Sequence, residues 1–133
     1  MRLFALLLAL LLLPASASAG GKASDFTLKD LNGANVSLSD FLGKKVILVS
    51  FWATWCAPCL KEMPHLDQLQ NELGAKGLQV ISISADDPKD QAKVKATTRR
   101  MKYSPIVLLD TEAKAISAYN SNKDMPFVFV VNL

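Results

Sequence analysis

The chain has 133 residues, 50% of them hydrophobic, and a formal charge of +3 from 15 Lys and Arg against 12 Asp and Glu. That length allows one domain, and so small a charge gives no case for nucleic-acid binding. Two cysteines, Cys56 and Cys59, and a single histidine, His65, leave little material for a metal centre.

Met1-Arg2 leads into an unbroken apolar run from Leu3 to Leu13, followed by Pro14-Ala15-Ser16-Ala17-Ser18-Ala19. A basic start, a short apolar core and the Ala17-Ser18-Ala19 pattern read as a secretory signal peptide over residues 1–19. The run falls short of the roughly 20 residues that a spanning helix needs. An uncleaved N-terminal membrane anchor is the alternative. Residues 20–133 are then the folded domain, expected in the periplasm or another extracytoplasmic compartment. A secreted chain with two cysteines ordinarily suggests a stabilising bridge, but here the cysteines are close neighbours.

Residues Ala23 to Leu28 and Val36 to Leu38 alternate around Asp30-Leu31-Asn32-Gly33, a turn signal, which predicts a β-hairpin. Ser39 to Gly43 reads as a short helical turn closed by its glycine. Val46 to Phe51 is apolar apart from Ser50, as expected of a strand buried on both faces. Such a strand delivers the following residues to the carboxyl end of the sheet, where open α/β folds place their sites. From Ala57 to Leu73, the residues Leu60, Met63, Leu66, Leu69 and Leu73 recur at helical spacing. Pro64 inside this helix removes a backbone hydrogen bond and is expected to bend it.

Gly74 and Gly77 end the helical pattern, and Leu78 to Ser84 makes a second strand, completing a βαβ unit with parallel pairing. Asp86-Asp87-Pro88 predicts a helix start, with an Asp cap and a first-turn proline, running to about Tyr103 with Val94 and Met101 in the core. Arg99, Arg100 and Lys102 are expected to form a solvated face. Pro105 to Asp110 reads as a strand, Glu112 to Tyr119 as a short helix, and Phe127 to Val131 as a final apolar strand.

Between the first buried strand and the long helix stands Phe51-Trp52-Ala53-Thr54-Trp55-Cys56-Ala57-Pro58-Cys59. Thiols at i and i+3 on a helix have Cβ atoms about 5–6 Å apart, so a small adjustment joins them as a disulfide. The pair can pass between dithiol and disulfide without refolding. Pro58 suits the first helical turn and so puts Cys56 at the helix start, where unpaired N–H groups and the dipole favour an anion. Cys56 is therefore predicted to be an exposed attacking thiolate of lowered pKa, and Cys59 the more buried resolving thiol. Other readings stay open. A structural bridge is one, though so short a loop constrains the unfolded chain little. A zinc or copper site drawing on the thiols, His65 and carboxylates is another.

Followed by Glu62-Met63-Pro64, this run resembles the thioredoxin superfamily, and within it the TlpA/ResA/DsbE-like extracytoplasmic thiol-disulfide oxidoreductases. The resemblance extends from about Ala23 to the last residue. It implies an α/β fold: a thioredoxin-like three-layer α/β/α sandwich on a mixed sheet, with an N-terminal β-hairpin. Family members continue through another strand and a final helix, so the chain reads as C-terminally incomplete. Only about 5–6% of X–Pro bonds in folded proteins are cis, and the sequence alone favours trans at Met125-Pro126. The resemblance reverses this: Pro126 is expected to be cis, with Met125 lining the site and pairing with the substrate chain. Trp55, Ala57 and Pro58 complete the expected substrate-binding surface.

Glu62 is a candidate proton acceptor for Cys59, with an exposed first-turn carboxylate as the plainer reading. The thioredoxins proper carry a buried Asp six residues before the first cysteine; here that place is Ser50, which makes a role for Glu62 more plausible. Trp52 reads as core and His65 as surface.

These expectations describe a protein-disulfide reductase with no cofactor beyond the Cys56–Cys59 couple and no metal. Ala57-Pro58 resembles the reducing members of the branch. The resemblance further implies protein disulfide substrates such as apocytochrome c, recharging by a membrane electron donor of DsbD/CcdA type, and no nucleic acid. The alternatives are a peroxiredoxin-like thiol peroxidase and a non-enzymatic copper chaperone.

Overall fold

The computed structural model describes residues 21–133, and the predicted signal segment lies outside the described residues. The hairpin is β1 (Thr27–Asp30) and β2 (Asn35–Ser37); then come β3 (Val46–Trp52), α1 (Ala57–Leu73), β4 (Leu78–Ser84), α2 (Gln91–Met101), β5 (Ile106–Leu109), α3 (Lys114–Tyr119) and β6 (Phe127–Val131). The strands form one six-stranded sheet in the order β2-β1-β5-β4-β3-β6. Strands β3, β4 and β5 run parallel, while β1 lies antiparallel to β2 and β5, and β6 antiparallel to β3. The sheet is mixed, as expected.

Side chains alternate between the faces of a strand, and the two faces differ in what covers them. Ile47, Val49 and Phe51 of β3, Ile81 and Ile83 of β4 and Leu108 of β5 pack with Ala115 and Ile116 of α3 and with Phe26 and Leu38. On the other face Trp52, Val107, Cys59 and Met63 of α1 and Val94 of α2 form a second cluster. The sheet is thus the middle layer of an α/β/α sandwich. Phe127 and Phe129 of β6 extend the first cluster, with Phe51 centred 6.2 Å from Phe127 and 6.3 Å from Phe129. Tyr119 stacks on Phe129 at 4.1 Å, and its hydroxyl donates to the Ser24 carbonyl.

Helix α1 has the predicted bounds and continues through Pro64. Of its five predicted core residues, Met63 and Leu66 are buried and Leu60, Leu69 and Leu73 half-buried. A single 3-10 turn, Gly74–Lys76, follows, and Gly77 reverses the chain at φ +106°, a conformation that costs glycine little.

Several predicted boundaries differ by a few residues, most at the hairpin and at the start of α2. The hairpin ladder starts at Thr27 rather than Ala23, because Asp25 folds back: its carboxylate accepts the Phe26 and Ser39 amides, at 2.9 and 3.1 Å. The helix expected to start within Asp86-Asp87-Pro88 begins as a 3-10 turn at Pro88–Asp90 and turns α-helical only at Gln91. Asp86 is buried, and its carboxylate accepts the Thr54 amide of the cysteine loop.

Candidate active site

Strand β3 ends at Trp52 at the carboxyl edge of the parallel strands, and four residues later the chain enters α1. The connection is a tight turn, with the Cys56 amide donating to the Ala53 carbonyl at 3.1 Å. Cys56 is the N-cap of α1, in extended conformation at φ −92° and ψ 95°, and Pro58 lies in the first turn. The Leu60 amide makes the first helical hydrogen bond, to the Cys56 carbonyl, at 3.1 Å.

Cys56 and Cys59 are joined as a disulfide, with Cα atoms 5.3 Å apart. The Cys59 amide donates to Cys56 Sγ at 3.3 Å. An orphan N–H of the first helical turn is thereby aimed at the sulfur predicted to carry charge.

The pair is more covered than expected. Cys56 is 6% exposed and Cys59 1%, so what access remains lies on the Cys56 side. The cause is packing: both sulfurs belong to the cluster of Trp52, Ala53, Met63 and Val94, with Met125 against it. Around this recess Ala57 and Pro58 are exposed, and Trp55 is 68% exposed, an unusual degree for so large an apolar ring.

Met125-Pro126 is cis. Pro126 is exposed and immediately precedes Phe127, the residue of β6 that pairs with Phe51. The structure therefore brings Cys56, Cys59, Trp55, Ala57, Pro58, Met125 and Pro126 to the same end of the sheet.

Glu62 follows Cys59 by one helical turn and is half-buried; its Oε2 accepts from Ser50 Oγ at 3.5 Å. The serine standing where thioredoxins proper have an aspartate thus reaches the candidate proton acceptor. Beside Ser50 in the sheet register lies Ser82, whose hydroxyl shares a 2.6 Å hydrogen bond with Tyr103. Burial above all pushes the Tyr103 phenol up to about 12, with the Asp67 and Glu62 charges adding to it and the Ser82 hydrogen bond opposing.

His65 is exposed, as expected. Among the described residues no group of three or more His, Cys, Asp and Glu side chains is placed to hold a metal ion. Trp52 is core, and its indole N–H is buried without a hydrogen-bond partner. Asp86, not among the site residues expected from sequence, anchors the cysteine loop through Thr54.

A profile of the AhpC/TSA family matches residues 19–132. The chain belongs to the AhpC/TSA family. Relatives within reach of this thioredoxin-like family include the thiol-disulfide oxidoreductase ResA of Geobacillus kaustophilus, 33% identical over 85% of the chain. ResA of Bacillus subtilis is 32% identical over 88% of it. The chain spans only 63% of the length of each. A crystal structure from Chlorobium tepidum, provisionally assigned as a thiol:disulfide interchange protein DsbE, superposes with a TM-score of 0.76 at 31% identity, covering 85% of this chain and 77% of that one. The motif resemblance to ResA- and DsbE-like proteins thus extends across the described domain. No helix among the described residues is long and apolar enough to cross a membrane.

Proposed function

We propose that this protein is an extracytoplasmic thiol-disulfide oxidoreductase that reduces protein disulfides. The observation that carries the reading is the pairing of Cys56, at the head of α1 with the Cys59 amide on its sulfur, and Cys59, bonded to it and almost fully buried. In the reduced protein the helix start and that amide favour thiolate at Cys56. The thiolate attacks one sulfur of a substrate disulfide; a mixed disulfide forms and the other substrate sulfur leaves as thiolate. Cys59 then gives up its proton, for which Glu62 is the nearby carboxylate, and attacks the Cys56 sulfur. The Cys56–Cys59 bond forms and the second substrate thiolate departs. Two electrons have moved from protein to substrate.

The exposed surface of Trp55, Ala57, Pro58 and Pro126, with Met125 beneath, is the docking area for the substrate chain. A protein that leaves each cycle oxidised needs a dithiol donor, and in an extracytoplasmic compartment a membrane electron carrier of DsbD/CcdA type fits that need. Apocytochrome c is a substrate suggested by the ResA likeness. Signal-peptide cleavage after Ala19 supplies the address.

The testing experiment is the reduction potential of the Cys56/Cys59 couple in the purified chain, together with reduction of insulin disulfides. A potential near thioredoxin's, about −270 mV, is expected; one near DsbA's, about −120 mV, overturns the direction assigned. An absence of exchange with small thiols removes the enzymatic reading, and thiol-dependent peroxide consumption in its place establishes the peroxidase.

A further inference from the structure

We propose that Asp86 is a positioning residue for this exchange: its buried carboxylate holds the Ala53–Cys56 turn, through Thr54, in the pose that presents Trp55 and Cys56 to a protein disulfide. The inference rests on the exchange activity proposed above and assigns a determinant of its partner recognition.

An ionisable carboxylate 4% exposed is costly unless its oxygens are satisfied, and the bonds of Asp86 converge on the loop before the nucleophile. Thr54 N–H donates to Oδ2 at 2.9 Å and to Oδ1 at 3.2 Å, and the Thr54 hydroxyl donates to Oδ1 at 2.5 Å. Ser84 Oγ donates to Oδ2 at 2.8 Å and in turn accepts the Asp86 amide at 3.1 Å. Ser84 is the last residue of β4 and pairs in register with Trp52. The Ala85 amide reaches the Trp52 carbonyl at 2.9 Å. The carboxylate is therefore fixed to the end of one rigid strand and grips Thr54, two residues past the end of its neighbour.

Thr54 lies inside the turn closed by the Cys56 amide and the Ala53 carbonyl. Fixing it fixes where Trp55 projects, and Trp55 at 68% exposure cannot owe its pose to packing alone. Hydrogen bonds to a charged acceptor are the stronger kind, which suits an anchor that must hold while a partner chain pulls on the loop. Asp86 touches no reacting atom.

Asp86→Asn in the full chain keeps the shape but turns an amide toward the Thr54 donors. Two second-order rates are read on the same reduced, folded sample: toward insulin disulfides and toward oxidised glutathione. The expected result is a fall of about 10-fold or more toward insulin, from a displaced docking surface, with the glutathione rate changed less than about threefold. An equal loss toward both disulfides, or no loss toward insulin, overturns the proposal. If Asp86→Asn does not fold, Thr54→Val removes only the hydroxyl donor and is expected to give the same split at about fivefold; no split in that variant overturns it likewise. A wild-type protein that reduces neither disulfide defeats the exchange reading itself, a result distinct from both.

Discussion

The two faces of the sheet are built from alternate residues of the same strands and are both apolar, but only one of them also buries polar groups. The face under α3 is hydrocarbon and aromatic: Ile47, Val49, Phe51, Ile81, Ile83 and Leu108, with Phe127 and Phe129 beside them. The face under α1 and α2 carries the disulfide and a line of hydroxyls, with Ser50, Ser82 and Ser84 all at most 1% exposed. Each hydroxyl there has a named partner, Glu62, Tyr103 or Asp86. One layer supplies cohesion and the other spends some of it on polar groups that can hold and move charge. The fold needs the first so that the second can exist.

Substitutions on the two faces should therefore separate reactivity from stability. The largest separation is expected from Cys56→Ser, which should abolish insulin reduction in an activity assay. Loss of so short a loop closure should cost only about 2 kcal/mol of stability. Phe51→Ala, on the opposite face, should do the reverse. Removing a fully buried aromatic costs about 3–5 kcal/mol in a denaturant titration, while the reduction potential of the molecules that stay folded is unchanged. A shifted potential in Phe51→Ala would break the division.

Tyr103→Phe sharpens it. The folded protein keeps a phenolic proton, at a pKa of about 12 against an ordinary 10.0, that the unfolded chain releases. That stabilisation is complete below pH 10 and is lost as the pH rises toward 12. The variant should lose this part of the alkaline decline in a pH-stability series, and at neutral pH should cost about 1 kcal/mol for the unpaired Ser82 hydroxyl. The smallest effect is expected at the rim of the same helical layer. The Asp67 carboxylate accepts the Ser104 amide and hydroxyl, both at 2.7 Å, and the amide bond above all holds its pKa below the ordinary 3.8. Asp67→Asn should cost about 0.5 kcal/mol at pH 7. The difference from wild type is present above pH 3.8 and should vanish as the pH falls through the depressed value.

What the sequence made legible followed from range. The Leu60–Met63–Leu66 spacing, Pro58 near the helix start and Gly77 after its end are local signals, and α1 has the predicted bounds. The two cysteines stood out by their spacing at a helix start. The run of aromatics, Glu62 and Pro64 around them carried the family resemblance that favoured a redox couple over a structural bridge or a metal site. The helix start at Asp86-Asp87-Pro88 was a local signal, but the role of Asp86 was not legible, because the Thr54 donors its carboxylate serves lie 32 positions away. The Ser82–Tyr103 bond was invisible for the same reason, with 21 positions between its partners. The coverage of Cys56 was missed too: a helix start argues for an open sulfur, and only the assembled cluster closes over it. The cis bond at Pro126 came from family likeness, which no local pattern could replace.

The two tryptophans of the chain sit three positions apart in opposite surroundings, Trp52 at 1% and Trp55 at 68% exposure. A molecule so arranged carries two lamps, one shuttered and one in the open. Iodide in the solvent should extinguish the red-shifted emission of Trp55 and leave the bluer light of Trp52 untouched, so the arrival of another chain at the cysteine loop can be watched without attaching a dye.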